Sequence, residues 1–410
     1  MIGPVVSPLT EEFSYRCVTM TGAFLVVVGL ISSAFATSAW SLFCFFSLIA
    51  GLGSGVLVTV SQLIIPVYFH KRLGRANGIL MAGPSVGLFI APHLITYLQE
   101  HYAYLGTTLI LGGIFLNTCV SAIVFHPVKW HLQKPIHNGY CSCAKKDILG
   151  NTVDVEHMST ECQAHIMEKH IDCQGYTHRE SSRVLTETRT SVKWFELGHL
   201  LFRVCKKSVL SLKILASPAP LIIALTSTLT VNCYLNFLLI VPFVSNARAS
   251  VHVTALCFSV AGVCNLICRL LVSALTDFRW FNMKFVYIIG VTLMGATTLA
   301  FLYLTSSTWM LVVMGVWGCG LGTFMGLYIL VMIKYVGKEK FPSLFGATSL
   351  LNGLGFILIG PLLGWITQLT SSYKASIWIL SAVEGLCAVL WLFMPELDMA
   401  NNKSSSSKVP

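Results

Sequence analysis

Ten apolar runs of about 20 residues, the length that crosses a ~30 Å hydrocarbon layer, dominate this chain. They cover roughly 18–36, 42–67, 76–97, 104–126, 217–244, 252–276, 284–304, 308–333, 343–369 and 375–394. A segment in hydrocarbon has no water to satisfy its backbone, so it must bond within itself as a helix or close into a barrel. Barrel strands would alternate polar and apolar residues over about ten positions, and no such pattern occurs. The expectation is an all-α polytopic membrane protein. Composition agrees: of 410 residues 55% are hydrophobic and 11% charged, with mean hydropathy +0.74, which excludes an ordinary soluble domain.

Lys and Arg fall unevenly between the runs. One set of loops holds Arg16, Lys71, Arg72, Arg75, thirteen cations from Lys129 to Lys213, Arg279, Lys284, Lys334, Lys338, Lys340, Lys403 and Lys408. The other set holds Arg248 and Lys374. The positive-inside rule places the first set and both termini in the cytoplasm. The net charge of +10 thus lies in short loops and one polar segment, without the aromatic-interleaved basic stripe of a nucleic-acid binder. Met1–Arg16 is too short and too polar for a cleaved signal peptide.

The expected organisation is an N-terminal helix bundle (1–126), a polar cytoplasmic loop (127–216), a C-terminal six-helix bundle (217–395) and a disordered tail (396–410). The loop contains Cys141, Cys143, Cys162 and Cys173 with His157, His165, His170 and His178. Their spacing has no paired C-x-x-C or fixed C…H pattern, so they are read as reduced thiols and solvated histidines, with no metal and no cofactor. No nucleophile elbow, zinc-protease helix or Walker loop appears, which argues against an enzyme.

An ionisable side chain deep in a membrane span is costly and marks a functional candidate. Arg269 lies one helical turn after Asn265 in "GVCNLICRLL", so the two share a face. A permanently charged guanidinium suits an organic carboxylate; the alternative is an arginine that ties helices together through carbonyls. Glu384, in "SAVEGLC", reads as a proton acceptor, as the partner of Arg269, or as a buried hydrogen-bonded carboxyl. Thr228, Asn232 and Asn236 form an i, i+4, i+8 polar stripe that either lines a cavity or joins helices. Glycines at every fourth position (Gly51/Gly55, Gly83/Gly87, Gly318/Gly322/Gly326, Gly360/Gly364) read as close helix contacts.

The stretch "YFHKRLGRANGILMAGPSVGLFIAPHL" puts Lys71, Arg72 and Arg75 between two apolar helices, an orientation anchor and conformational latch. It closely resembles the hairpin between helices four and five of the monocarboxylate transporters, a branch of the major facilitator superfamily. Tyr68, Phe69, Lys71, Arg72, Ala76, Gly78, Ala82, Gly83 and Gly87 match that motif, with Leu73 replacing its second arginine. "EEFSYR", "GVCNLICR" and "VGKEKFPSLFGATSLLNGLGFILIGPLLG" match further motifs. The resemblance implies a carrier with a central site between two bundles, moving small carboxylates, in many members with a proton. It also implies, for some members, a single-span escort glycoprotein; the membrane expected is the plasma membrane, with an intracellular one as the alternative.

The chain departs from the pattern in telling places. The first span resembles the family's helix three, so two helices of the first bundle are not represented. The membrane Asp that precedes the key Arg in proton-coupled members is Asn265, which carries no proton. Asp277 keeps the acidic residue at the end of that helix, while His93 follows Pro92 where an apolar residue is usual. The expected substrate site is Arg269, Asn265, Asn232 and Asn236. The rival expectation is a shortened membrane protein that binds partners without transport.

Overall fold

The computed structural model describes residues 3–69, 72–124, 212–246, 251–278 and 280–394. Among them every regular element is helical. The chain begins with α1 (Gly3–Glu12) and α2 (Tyr15–Ala34), followed by α3 (Ala39–Leu42), which runs through a π-helical stretch at Phe43–Ala50 into α4 (Gly51–Tyr68). Next come α5 (Leu73–Phe115) and α6 (Asn117–Val124). The second block comprises α7 (Pro218–Asn246), α8 (Val251–Leu275), α9 (Met283–Tyr303), α10 (Ser307–Val336), α11 (Phe341–Thr370) and α12 (Tyr373–Leu392). Lys71, the loop and its Cys/His residues from 125 to 211, and the tail after Met394 lie outside the described residues.

Local chemistry sets where the helices start and stop. The Ser14 hydroxyl accepts from the Cys17 N–H, and Asn282 Oδ1 accepts from Lys284 and Phe285, giving orphan first-turn donors a partner. Pro342 occupies the first turn of α11, where its missing N–H costs nothing. Gly337, at φ 83°, ends α10 in a conformation that other residues rarely adopt. Between these punctuation marks the helices are mostly apolar and continue through internal prolines at Pro66, Pro84, Pro92, Pro242 and Pro361.

Nine helical stretches are long and apolar enough to cross a membrane, among the described residues. One of them, Leu73–Val124, spans 52 residues. At 1.5 Å per residue it would exceed two bilayer thicknesses if straight. It breaks at Ala103, whose φ of 52° and ψ of −170° are not helical. The runs expected at 76–97 and 104–126 are therefore one segment folded at Ala103 into two crossings. The second crossing returns onto α2: the Tyr104 hydroxyl donates to the Ser33 carbonyl at 3.2 Å, and Gly112 faces Ile31.

In the second block α8 packs on α10, α10 on α9, and α9 on α12, while α7 meets α11 and α12. Its interior holds fully buried Trp317, Phe237, Phe301, Tyr287, Phe324 and Trp391. Phe237 contacts both Phe301 and Trp317, and Tyr287 packs on Trp391 with ring centroids 4.1 Å apart. The glycines explain the tight α8–α10 approach. A methyl on Gly318 would strike the backbone of Ala261, one on Gly322 the Asn265 carbonyl, and one on Gly326 Ser273 Oγ and the Arg269 carbonyl. Gly83, Gly87 and Gly364 behave differently from expectation. Nothing lies within 4 Å of an added methyl there, because those helix faces point away from neighbours.

The two blocks meet along α5 and α8, and again where α1 rests on α11. Gly74 sits against Ser273 and Thr276, Gly78 against Ser273, Phe89 against Gly262, and His93 Nε2 hydrogen-bonds Ser259 Oγ at 2.7 Å. Gly3 faces Ser349 and Gly346.

Candidate functional site

Where the blocks diverge from this seam they leave an open cavity of about 560 Å³. The first block contributes Ser54, Thr59, Gln62, Met81 and Leu88; the second contributes Tyr234, Asn265, Arg269, Tyr328 and Asn352, among others. Among the described residues Arg269 is the one charged residue in this wall. Met325, Phe345 and Phe356 help make much of the remainder apolar.

Arg269 is only 3% exposed, and Asn265 2%. The i, i+4 spacing does bring them together on the cavity side of α8, as the sequence implies. The guanidinium donates from Nη1 to the Met81 carbonyl of α5, across the seam. Its Nε has no partner, and no carboxylate pairs with it among the described residues. The Tyr234 phenol lies within electrostatic reach. A buried cation answered by one neutral carbonyl is under-compensated, since a charge removed from water needs an opposite charge or a full set of dipoles. The arrangement therefore does two things: it ties α8 to α5 and leaves donor capacity for an anion entering the cavity.

Asn232 and Asn236 do not line this cavity, contrary to expectation. They are buried at the α7–α11 contact, where methyls on Gly355 and Gly360 would meet their amides. Each donates its Nδ2–H back to a carbonyl one turn earlier, Asn232 to Thr228 at 2.9 Å and Asn236 to Asn232 at 2.8 Å. Thr228 is likewise buried off the cavity. The helix-joining alternative describes this stripe, because the glycines of α11 let the amides close against its backbone.

Glu384 is 1% exposed but stands elsewhere, on α12 against Gly295 of α9. It neither lines the cavity nor pairs with Arg269, so the pairing considered from sequence is not formed. Arg72 precedes α5 and is exposed. Asp277, just beyond α8, accepts from the Gly74 N–H at 3.1 Å and faces Arg75 at 3.5 Å. One turn deeper, the Gly326 carbonyl accepts from both Asn77 Nδ2 at 2.9 Å and Ser273 Oγ at 3.1 Å. These bonds hold the basic hairpin's helix onto the second block.

Sequence reasoning passed over Gln62, Tyr234, Tyr328 and Asn352. Each sits within a largely apolar run, and only helix rotation turns it toward the cavity. Among the described residues no group of three or more His, Cys, Asp or Glu is placed to hold a metal ion.

Two helical blocks of membrane-spanning length meeting along a seam, with a cavity between them, have the architecture of a membrane transporter, and the comparisons with known proteins agree. The Major Facilitator Superfamily model matches residues 1–139 and 220–409. The chain belongs to the major facilitator superfamily. Monocarboxylate transporter 12-B of Danio rerio is 25% identical over all of this chain and 80% of its own length. Monocarboxylate transporter 9 of Mus musculus is 26% identical over all of this chain and 85% of its own. Both relatives are named as transporters, and with the superfamily match they make this chain a membrane transporter and not an enzyme. The crystal structure of the E. coli fucose:proton symporter aligns with a TM-score of 0.59 at 13% identity, covering 97% of this chain and 88% of that one, a likeness of fold.

Proposed function

We propose that this protein is an alternating-access carrier of organic monocarboxylates in which Arg269 holds the substrate carboxylate and Asn265 lines the same pocket. One observation carries the reading: a permanent cation, 3% exposed, in the wall of a cavity between two blocks, with no acidic partner among the described residues. The guanidinium fork matches a carboxylate in a way that no other side chain in this wall does. Rocking of the blocks about the α5–α8 seam would expose the cavity alternately to the two sides.

The amide at Asn265 holds no titratable proton, which favours transport that is not strictly coupled to protons through this position. The positive-inside pattern supports cytoplasmic termini. An escort glycoprotein is implied by the resemblance alone, and co-purification from cells tests it.

The deciding experiment measures saturable uptake of labelled monocarboxylates by cells expressing the chain at verified surface levels. Arg269→Gln should abolish the saturable component. Intact uptake in that variant would remove Arg269 from the site.

A further inference from the structure

The two ends of the α5–α8 seam are closed by different chemistry. At one end Asp277 accepts from the Gly74 N–H and faces Arg75, and Asn77 donates to the Gly326 carbonyl. About five turns further along α5 the contacts across the seam are Phe89 against Gly262 and His93 Nε2, which meets Ser259 Oγ at 2.7 Å. The positive-inside pattern makes this the outer end. Its closure depends on a side chain of a type that changes charge near neutral pH.

The geometry already suits the charged ring. Ser259 is buried, and its hydroxyl proton has the Ala255 carbonyl as acceptor at 3.1 Å, so its oxygen can accept from His93. A protonated imidazole donates from both nitrogens and fits this arrangement without rearrangement. A charge-assisted bond is roughly twice as strong as a neutral one. His93 is exposed, so protons in solution reach it, and no carboxylate pairs with it among the described residues. On α8 the titratable residues toward this end are His252, two turns from Ser259 on the same face, and buried Cys257. On α5 itself Tyr97, Glu100 and His101 follow, with the His101 ring bonded to the Tyr97 carbonyl.

Resting on the two-block carrier reading above, we infer that His93 is an outer gate residue of the transport cycle: its bond to Ser259 breaks before the cavity opens outward, and protonation of the imidazole holds that end closed. Rocking about the seam has to part this contact once in every cycle. Outside protons thereby act as a brake on outward opening. Uptake driven by protons would respond to outside acid in the opposite sense, so the sign of the response separates the two roles.

The test is amide hydrogen exchange of the purified full chain, with labelling times scaled to the intrinsic exchange rate at each pH. Between about pH 8 and about pH 5.5, peptides covering 86–97 and 255–263 should gain about fivefold in protection, while peptides covering 73–81 stay within about twofold. His93→Gln, which keeps a donor but cannot take up a proton, should remove the pH response. His93→Leu, which has no donor, should lower protection of the outer peptides at both pH values. Outer protection that ignores pH in the unsubstituted protein, an equal gain at the inner end, or a response that persists in His93→Gln would each overturn the inference. The comparison of inner and outer peptides in the unsubstituted protein decides the matter even if a variant fails to fold. No substrate enters this measurement, so uptake by Arg269→Gln tests the carboxylate reading separately.

Discussion

Arg75 Nε stands 3.5 Å from Asp277 Oδ2 across the line where the two helical blocks meet, and the neighbouring Gly74 N–H donates to the other oxygen of the same carboxylate. Arg75 is about half exposed, so water screens the ion pair and its own worth is about 0.2–1 kcal/mol. The backbone bond at the start of α5 adds a charge-assisted contact. Asp277→Ala, which removes both, should therefore loosen this end more than Asp277→Asn, which keeps an acceptor. Amide hydrogen exchange at the start of α5 should accelerate several-fold over the unsubstituted protein in the first variant and about twofold in the second. Rates unchanged from the unsubstituted protein in both would show that Asp277 does not hold the seam.

The α8–α10 contact supplies a sharper comparison. Gly322→Ala drives a methyl into the Asn265 carbonyl, and overpacking of this kind costs about 1–3 kcal/mol. Gly364→Ala meets open space on a helix, where losing a glycine stabilises by about 0.4–1 kcal/mol. Melting temperatures of the purified variants should move in opposite directions; a shared direction would contradict the packing described here.

Ala103 carries φ of 52°, a region favourable only to glycine, in the middle of the folded-back segment. Such strain costs about 1–3 kcal/mol, so Ala103→Gly should raise the melting temperature. A lowered value would mean that the turn between the two crossings is made differently.

Arg269→Lys keeps the charge but loses the planar fork, and substrate affinity should fall about tenfold, with Arg269→Gln falling further. Glu384→Gln, outside the cavity wall and close in shape, should leave affinity within about twofold. Thermal-shift titration measures all three. A collapse in Glu384→Gln equal to that in Arg269→Gln would tie the two buried residues into one site, against their separate positions.

The membrane spans were legible because hydrocarbon imposes one demand on every residue of a run, so length and apolarity alone signal the helix. Arg269 and Asn265 were legible for a related reason: both sit on one face of one helix, and helical spacing is written in the sequence. Asn232 and Asn236 share the same kind of spacing, yet their face turns to the glycines of α11 and not to the cavity. Periodicity defines a stripe without saying what it faces.

The glycines teach the same lesson, since Gly322 touches a carbonyl and Gly364 touches nothing although both repeat at the fourth position. The sequence by itself determined an all-helical membrane protein with a buried cation, because burial in lipid restricts each residue independently of its neighbours. The tertiary structure alone decided which polar side chains share the cavity, that Arg269 reaches Met81 and not Glu384, and that Asp277 meets Gly74 from 203 positions away. Those outcomes depend on helix rotation and on packing between distant segments, which no local pattern encodes.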